Sequence, residues 1–183
     1  MQRCAQKAIE LDEYCADAYS VLALYYLEKR DYDRAKENAN KSVELAPGNA
    51  ENMIEATAVF NKAGDPRRGM ELVQRAMEMC PLYRPGFLRG LGTANRFLGN
   101  PEAAADIYRE AVKRQPELLS GQVNLASVLG ELGRLEEARA VAQTIKGMSG
   151  SFSVDTYMAG LAYRNPEDLR RFRDGLIAAG LSE

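Results

Sequence analysis

Pro47, Pro81 and Pro116 stand 34 and 35 residues apart, and Ala35, Gly69, Ala104 and Ala138 recur at intervals of 34, 35 and 34. This period constrains the chain more than its composition does. A unit of that size is one supersecondary element that cannot bury its own apolar face, so it must stack on copies of itself. The unit is clearest in residues 91–116, LGTANRFLGNPEAAADIYREAVKRQP. Gly99 suits the left-handed end of one helix, Asn100 the cap of the next, and Pro101 a first helical position where no N–H is needed. Ala104, Tyr108 and Ala111 then share one face of the second helix. Gly92 and Ala104 let the two helices approach closely, with Tyr108 filling the volume beside them. The prediction is a helix, a tight turn and a helix with one apolar side.

The order aromatic, Leu-Gly, Tyr, Ala, aromatic, Ala, Pro at this period resembles the tetratricopeptide repeat, and the resemblance covers nearly the whole chain. It implies an all-α fold, a right-handed superhelical solenoid of antiparallel helix pairs, with at least nine helices and no sheet. Residues 1–15 are expected to be the second helix of a truncated repeat, with Ala5 and Ala8 in its small-residue slots. Full repeats follow at 16–49, 50–84, 85–118 and 119–150, and residues 151–183 form a degenerate short hairpin and C-terminal cap. The second repeat is the weakest, because Gly69 replaces the usual Ala at a helix cost of up to ~1 kcal/mol. In the cap, Asn165, Pro166, Glu167 and Asp168 start a helix. Leu169, Phe172, Leu176 and Ile177 are its expected buried stripe, and Arg170, Arg171 and Arg173 its wet side. The phase at the N-terminus implies a chain cut from a longer protein, so self-association is expected through Ala5, Ala8, Ile9 and Leu11.

A second, narrower resemblance lies in the ending. NPEDLRRFRDGLIAAGLSE, residues 165–183, is similar to the tail that follows the repeat array in bacterial class III adenylate/guanylate cyclase-like proteins, with Ser182 where Pro is usual. It implies a bacterial parent with a cyclase domain upstream and a regulatory or docking role for this segment. The expected compartment is the cytoplasm, or the periplasm if a transmembrane helix precedes the array in the parent.

Catalysis is not expected of these residues. The 183-residue chain has no histidine, which removes imidazole bases and most transition-metal sites. No phosphate-binding loop occurs, and Gly90-Leu91-Gly92 lacks the third glycine of a dinucleotide fingerprint. The paired acids Glu136-Glu137 and Glu167-Asp168 each open a helix, where they stabilise the positive dipole end. Cys4, Cys15 and Cys80 have no metal or redox spacing and read as reduced thiols. No cofactor and no metal are expected. A net charge of −2 offers no basic stripe for nucleic acid, and no apolar run of about 18 residues permits direct membrane insertion.

Function is therefore expected on the surface, as a non-catalytic protein-interaction scaffold. In the family resembled, the first helices line a concave groove. Helical spacing places Arg89, Thr93 and Arg96 on that side, with Asn124, Ser127 and Glu131 in the next repeat. The same step gives Ile54, Ala58, Asn61 and Lys62 in the second repeat and Ser20, Leu24, Leu27 and Glu28 in the first. The expected peptide site is Arg89, Arg96 and Asn124, with Thr93 and Ser127 beside them, Asn61 and Lys62 at the margin, and Leu24 and Leu27 receiving an apolar side chain. An acidic or C-terminal peptide suits such arginines, whose planar donor fork matches a carboxylate. Arg89 and Asn124 also match two slots of a family subgroup's carboxylate clamp, while Thr93, Val154 and Met158 do not fill the others. The competing reading pairs the arginines with nearby acids such as Glu55 and Glu131.

Overall fold

The computed structural model describes residues 1–182. Their helices are α1 (Gln2–Leu11), α2 (Ala16–Glu28), α3 (Tyr32–Leu45), α4 (Ala50–Lys62), α5 (Pro66–Met79), α6 (Pro85–Phe97), α7 (Pro101–Arg114), α8 (Leu119–Glu131), α9 (Leu135–Met148), α10 (Val154–Ala159) and α11 (Pro166–Ala178). Among the described residues there is no strand, so the all-α class and the consecutive helix pairs are as expected.

One local device makes the pairs. Arg30, Gly64, Gly99 and Gly133, spaced by 34, 35 and 34 residues, have φ of 60°, 84°, 86° and 72°. In each turn the next N–H reaches five residues back: Asp31 to Tyr26, Asp65 to Phe60, Asn100 to Asn95 and Arg134 to Leu129, each at 2.9 Å. This closes the helix end by satisfying a carbonyl that would otherwise lack a donor. Asp31 and Asp65 then cap the following helices, accepting from the Arg34 and Arg68 N–H groups. Asn100 makes no such side-chain bond, and Pro101 carries that start. Arg30 alone holds the left-handed position with a side chain.

The chain divides into two compact units. The first is Met1–Gly90 with Ala162–Arg164. Its core is Leu22, Ala23, Ala35, Ala39 and Val43 from α2 and α3, and Met53, Val59, Phe60, Leu72, Val73 and Ala76 from α4 and α5. Helix α1 leans on it through Ala5, packed with Ala18 and Leu22 and flanked by half-buried Ala8 and Ile9, while Leu11 is 78% exposed. Residues 162–164 join this unit by specific contacts. The Tyr32 hydroxyl donates to the Tyr163 carbonyl at 2.9 Å, and the Arg164 N–H donates to the Lys62 carbonyl at 2.8 Å. The Arg164 guanidinium pairs with Asp33 at 3.0 Å and lies over the Tyr32 ring.

The second unit is Leu91–Leu161 and the segment from Asn165 onward. Helix α8 is buried along nine consecutive residues, Gly121–Leu129. Successive helical residues point in directions about 100° apart, so such a run is covered all round. One apolar cluster joins α7 to α11, including Tyr108, Val123, Leu129, Ile145, Val154, Phe172 and Leu176. Helix α11 crosses α8 at two glycines: a Cβ on Gly130 would overlap the Gly175 carbonyl, and one on Gly175 would overlap the Ser127 carbonyl. The end of α11 is tied by Lys146 Nζ to the Gly180 carbonyl at 2.9 Å and by the Val154 N–H to the Ser182 carbonyl at 3.0 Å.

This crossing corrects the expected faces of the last helix. Phe172 and Leu176 are buried as expected, but Asp168 and Gly175 join them, Leu169 is half-buried and Ile177 is exposed. Arg171 is not on the wet side. It is half-buried and paired with Asp168 and with Glu131, the latter at 3.5 Å. The glycine crossing rotates α11 so that the flank carrying Asp168 and Arg171 turns toward α8.

Candidate functional site

In the first unit, α4 ends on Lys62, a position where an ammonium is favoured by the negative end of the helix. Its surroundings oppose the charge. Burial first, and then the cationic Arg89 of α6, hold the Lys62 pKa below the ordinary 10.5, and Glu28 offsets them only in part. Lys62 and Arg89 are both half-buried. The two cations thus stand close enough for one to oppose the charge of the other.

The neighbouring expectations divide. Ile54, Ala58 and Leu24 are half-buried. Leu27 is 4% exposed and belongs to the core, so it receives no ligand side chain. Asn61 is also buried rather than marginal. Its Nδ2 donates to the Gly90 carbonyl at 3.0 Å, its Oδ1 has no partner, and it fills the space a Cβ on Gly69 would take. The glycine that weakens α5 by propensity is thus what admits Asn61. Glu55, expected as an acid for the arginines, accepts from the Ser20 hydroxyl.

The second unit treats its cation differently. Arg96 is 2% exposed. Its Nε donates to Glu131 at 2.7 Å and its Nη2 to Ser127 Oγ at 3.0 Å and the Arg171 carbonyl at 3.5 Å. The guanidinium also lies 4.8 Å from the centroid of the Phe172 ring. Ser127, fully buried, donates to the Phe172 carbonyl at 2.7 Å. Asn124 is 8% exposed and donates to the Ser120 carbonyl of its own helix at 2.7 Å. Thr93 is half-buried, its hydroxyl 2.9 Å from that of Tyr108. Arg96, Asn124 and Ser127 are therefore closed over rather than presented, and Arg96 is paired with Glu131. Helical spacing gave their face; it carried no signal that α11 covers it. The reciprocal pair Gly130 and Gly175, absent from the expected site, was the one available hint.

Among the described residues, no group of three or more His, Cys, Asp or Glu could hold a metal ion, and no helix is long and apolar enough to cross a membrane. The three cysteines are unbonded, Cys4 exposed and the others half-buried.

Helix pairs closed by a left-handed residue at a period of 34 or 35 residues define a helical-repeat scaffold. Residues 16–49 and 89–151 each match a family model described as tetratricopeptide repeat, together just over half of the chain, which belongs to that family. Solved structures similar to it include YrrB, described as a TPR protein with an unusual peptide-binding site, at 20% identity over 98% of this chain and 92% of that one, TM-score 0.62. PilW, described as a widely conserved type IV pilus biogenesis factor, aligns at 17% identity over 96% of this chain and 78% of its own, TM-score 0.75. PilF of Pseudomonas aeruginosa aligns at 18% identity over the same shares, TM-score 0.70. No curated protein sequence matches the chain.

Proposed function

We propose that this chain is a non-catalytic interaction module that binds an acidic protein segment through Lys62 and Arg89 of its first unit. The reading rests on two half-buried cations in one unit, Lys62 and Arg89, close enough that burial and then Arg89 hold the Lys62 pKa below its ordinary value. A ligand carboxylate at this face replaces lost hydration with a charge-assisted contact and relieves the repulsion between the two cations. The peptide-binding site named for YrrB agrees with a peptide ligand.

The test is a random library of short peptides with free carboxyl termini, selected on the wild-type chain. Acid-rich or carboxyl-dependent binders are expected. Lys62→Ala with Arg89→Ala weakens them about tenfold or more, since a hydrogen bond to a charged group contributes ~1.5–3 kcal/mol. An Arg139→Ala, Arg170→Ala control leaves them unchanged. Binders without acid preference, or a double variant that binds like the control, remove the reading.

Exposed Leu11 beside half-buried Ile9 supports a second reading, self-association along α1. Sedimentation at rising concentration checks it, and a mass independent of concentration excludes it. The docking role under a cyclase-like parent rests on the sequence of residues 165–183 alone, and none of the relatives named above is a cyclase.

A further inference from the structure

We propose that the face of α8 around Ser127 and Gly130 is a seat for an amphipathic helix with glycine at the crossing point. Helix α11 is its resident occupant, and a partner helix of the same pattern takes its place. This seat lies wholly in the second unit and does not depend on the Lys62 reading.

Three observations carry it. First, the crossing is selective on both sides, because neither Gly130 nor Gly175 can gain a Cβ without overlapping backbone atoms of the other helix. Backbone cannot swing aside as a side-chain tip does, so the seat admits only a helix with glycine there. Second, the polar contacts address the main chain of the occupant: Ser127 Oγ donates to the Phe172 carbonyl, and Arg96 Nη2 to the Arg171 carbonyl. Such bonds are available to any helix in this register. Third, α11 leaves capacity unused. Arg96 Nη1 and Arg171 Nε are buried without a hydrogen-bond partner, and an unsatisfied buried donor is a standing cost of this occupancy. A partner helix that carries an acidic side chain within reach of Arg96, an apolar residue at the place of Leu176 and glycine at the crossing satisfies the donor that α11 does not. Its class is an acidic amphipathic helix with one glycine on its apolar face.

The experiment uses the full chain with Gly175→Leu, which cannot seat its own α11, and two labelled synthetic peptides of residues 164–182, one unchanged and one with Gly175→Leu. Hydrogen exchange should show lost protection in α11 and retained protection in α2 to α9. The unchanged peptide should bind the variant chain about tenfold or more tighter than it binds the unchanged chain, and the Leu peptide should bind at least as much more weakly. Equal binding of the two peptides to the variant overturns the proposal. If the variant does not fold, hydrogen exchange of the unchanged chain decides. Helix α11 opening at lower free energy than α8 and α9 supports a displaceable occupant, and opening only together with them makes α11 an integral wall and overturns it.

Discussion

The two units carry equivalent hairpins yet handle a cation withdrawn from solvent in opposite ways, Lys62 half-buried and Arg96 buried. Lys62 of α4 and Glu131 of α8 occupy the same repeat position two periods apart, and so do Asn61 and Gly130. In the second unit the acid at this position neutralises Arg96, and the glycine beside it lets α11 close over the pair. In the first unit the position holds a lysine whose charge is opposed by burial and by Arg89. One repeat geometry thus gives a face closed by α11, with Arg96 paired to Glu131, and a face that sets Lys62 beside a second cation.

The contrast breaks most visibly at Glu131→Ala. It strands Arg96 at 2% exposure, and removing one member of a buried pair costs about 3 kcal/mol or more. Urea denaturation should show that loss, while Arg96→Met combined with Glu131→Leu should recover most of it, because a well-packed apolar pair avoids the desolvation penalty. A double variant as unstable as the single one would mean that packing around α11, and not charge compensation, sets this face.

Gly69→Ala is next. Helix propensity alone predicts a gain of up to ~1 kcal/mol, whereas the Asn61 side chain already fills the space. The expected result is a loss of about 1–3 kcal/mol through overpacking, read in the same denaturation experiment. A gain would show that Asn61 relocates freely.

Arg30→Gly should stabilise the chain by about 1 kcal/mol, the cost of a non-glycine residue in the left-handed region, since Arg30 has φ 60° where the equivalent turns use glycine. Thermal unfolding checks it, and an unchanged or lowered Tm counts against strain at that turn.

The smallest effect is pH-linked. With the folded pKa of Lys62 below 10.5, the penalty for carrying its proton is present in full below the folded value. It is relieved as pH rises through that value toward the unfolded one. Wild-type stability should therefore rise across that window relative to Lys62→Met, which should be slightly the more stable protein near neutral pH. Parallel stability curves for the two chains would show that Lys62 is not stressed.

The fold was legible because each period repeats the same demands: a left-handed turn residue, small residues at 35, 69, 104 and 138, and a helix-starting Asp, Asn or Pro. What escaped the repeat was contact that has no period. The crossing of α11 on α8 joins Ser127 to Phe172 across 45 residues of chain, and residues 162–164 return to the start of α3 and the end of α4. Helical spacing says which way Arg96 points but not what lies there. Asn61 was misplaced for a related reason: its amide is drawn inward by the Gly90 carbonyl and by the missing side chain of Gly69, so a polar residue on the expected outer face became part of the core.

The most direct test is the titration of Lys62 itself, followed by NMR of lysine labelled with ¹³C at Cε, in the wild-type chain and with a peptide enriched from the acidic library. Lys62 should titrate below the ordinary lysine range in the free chain and move back upward when the peptide is bound, with Arg89→Ala also raising it in the absence of peptide. An ordinary lysine titration that neither the acidic peptide nor Arg89→Ala moves would contradict an anion-binding face in the first unit.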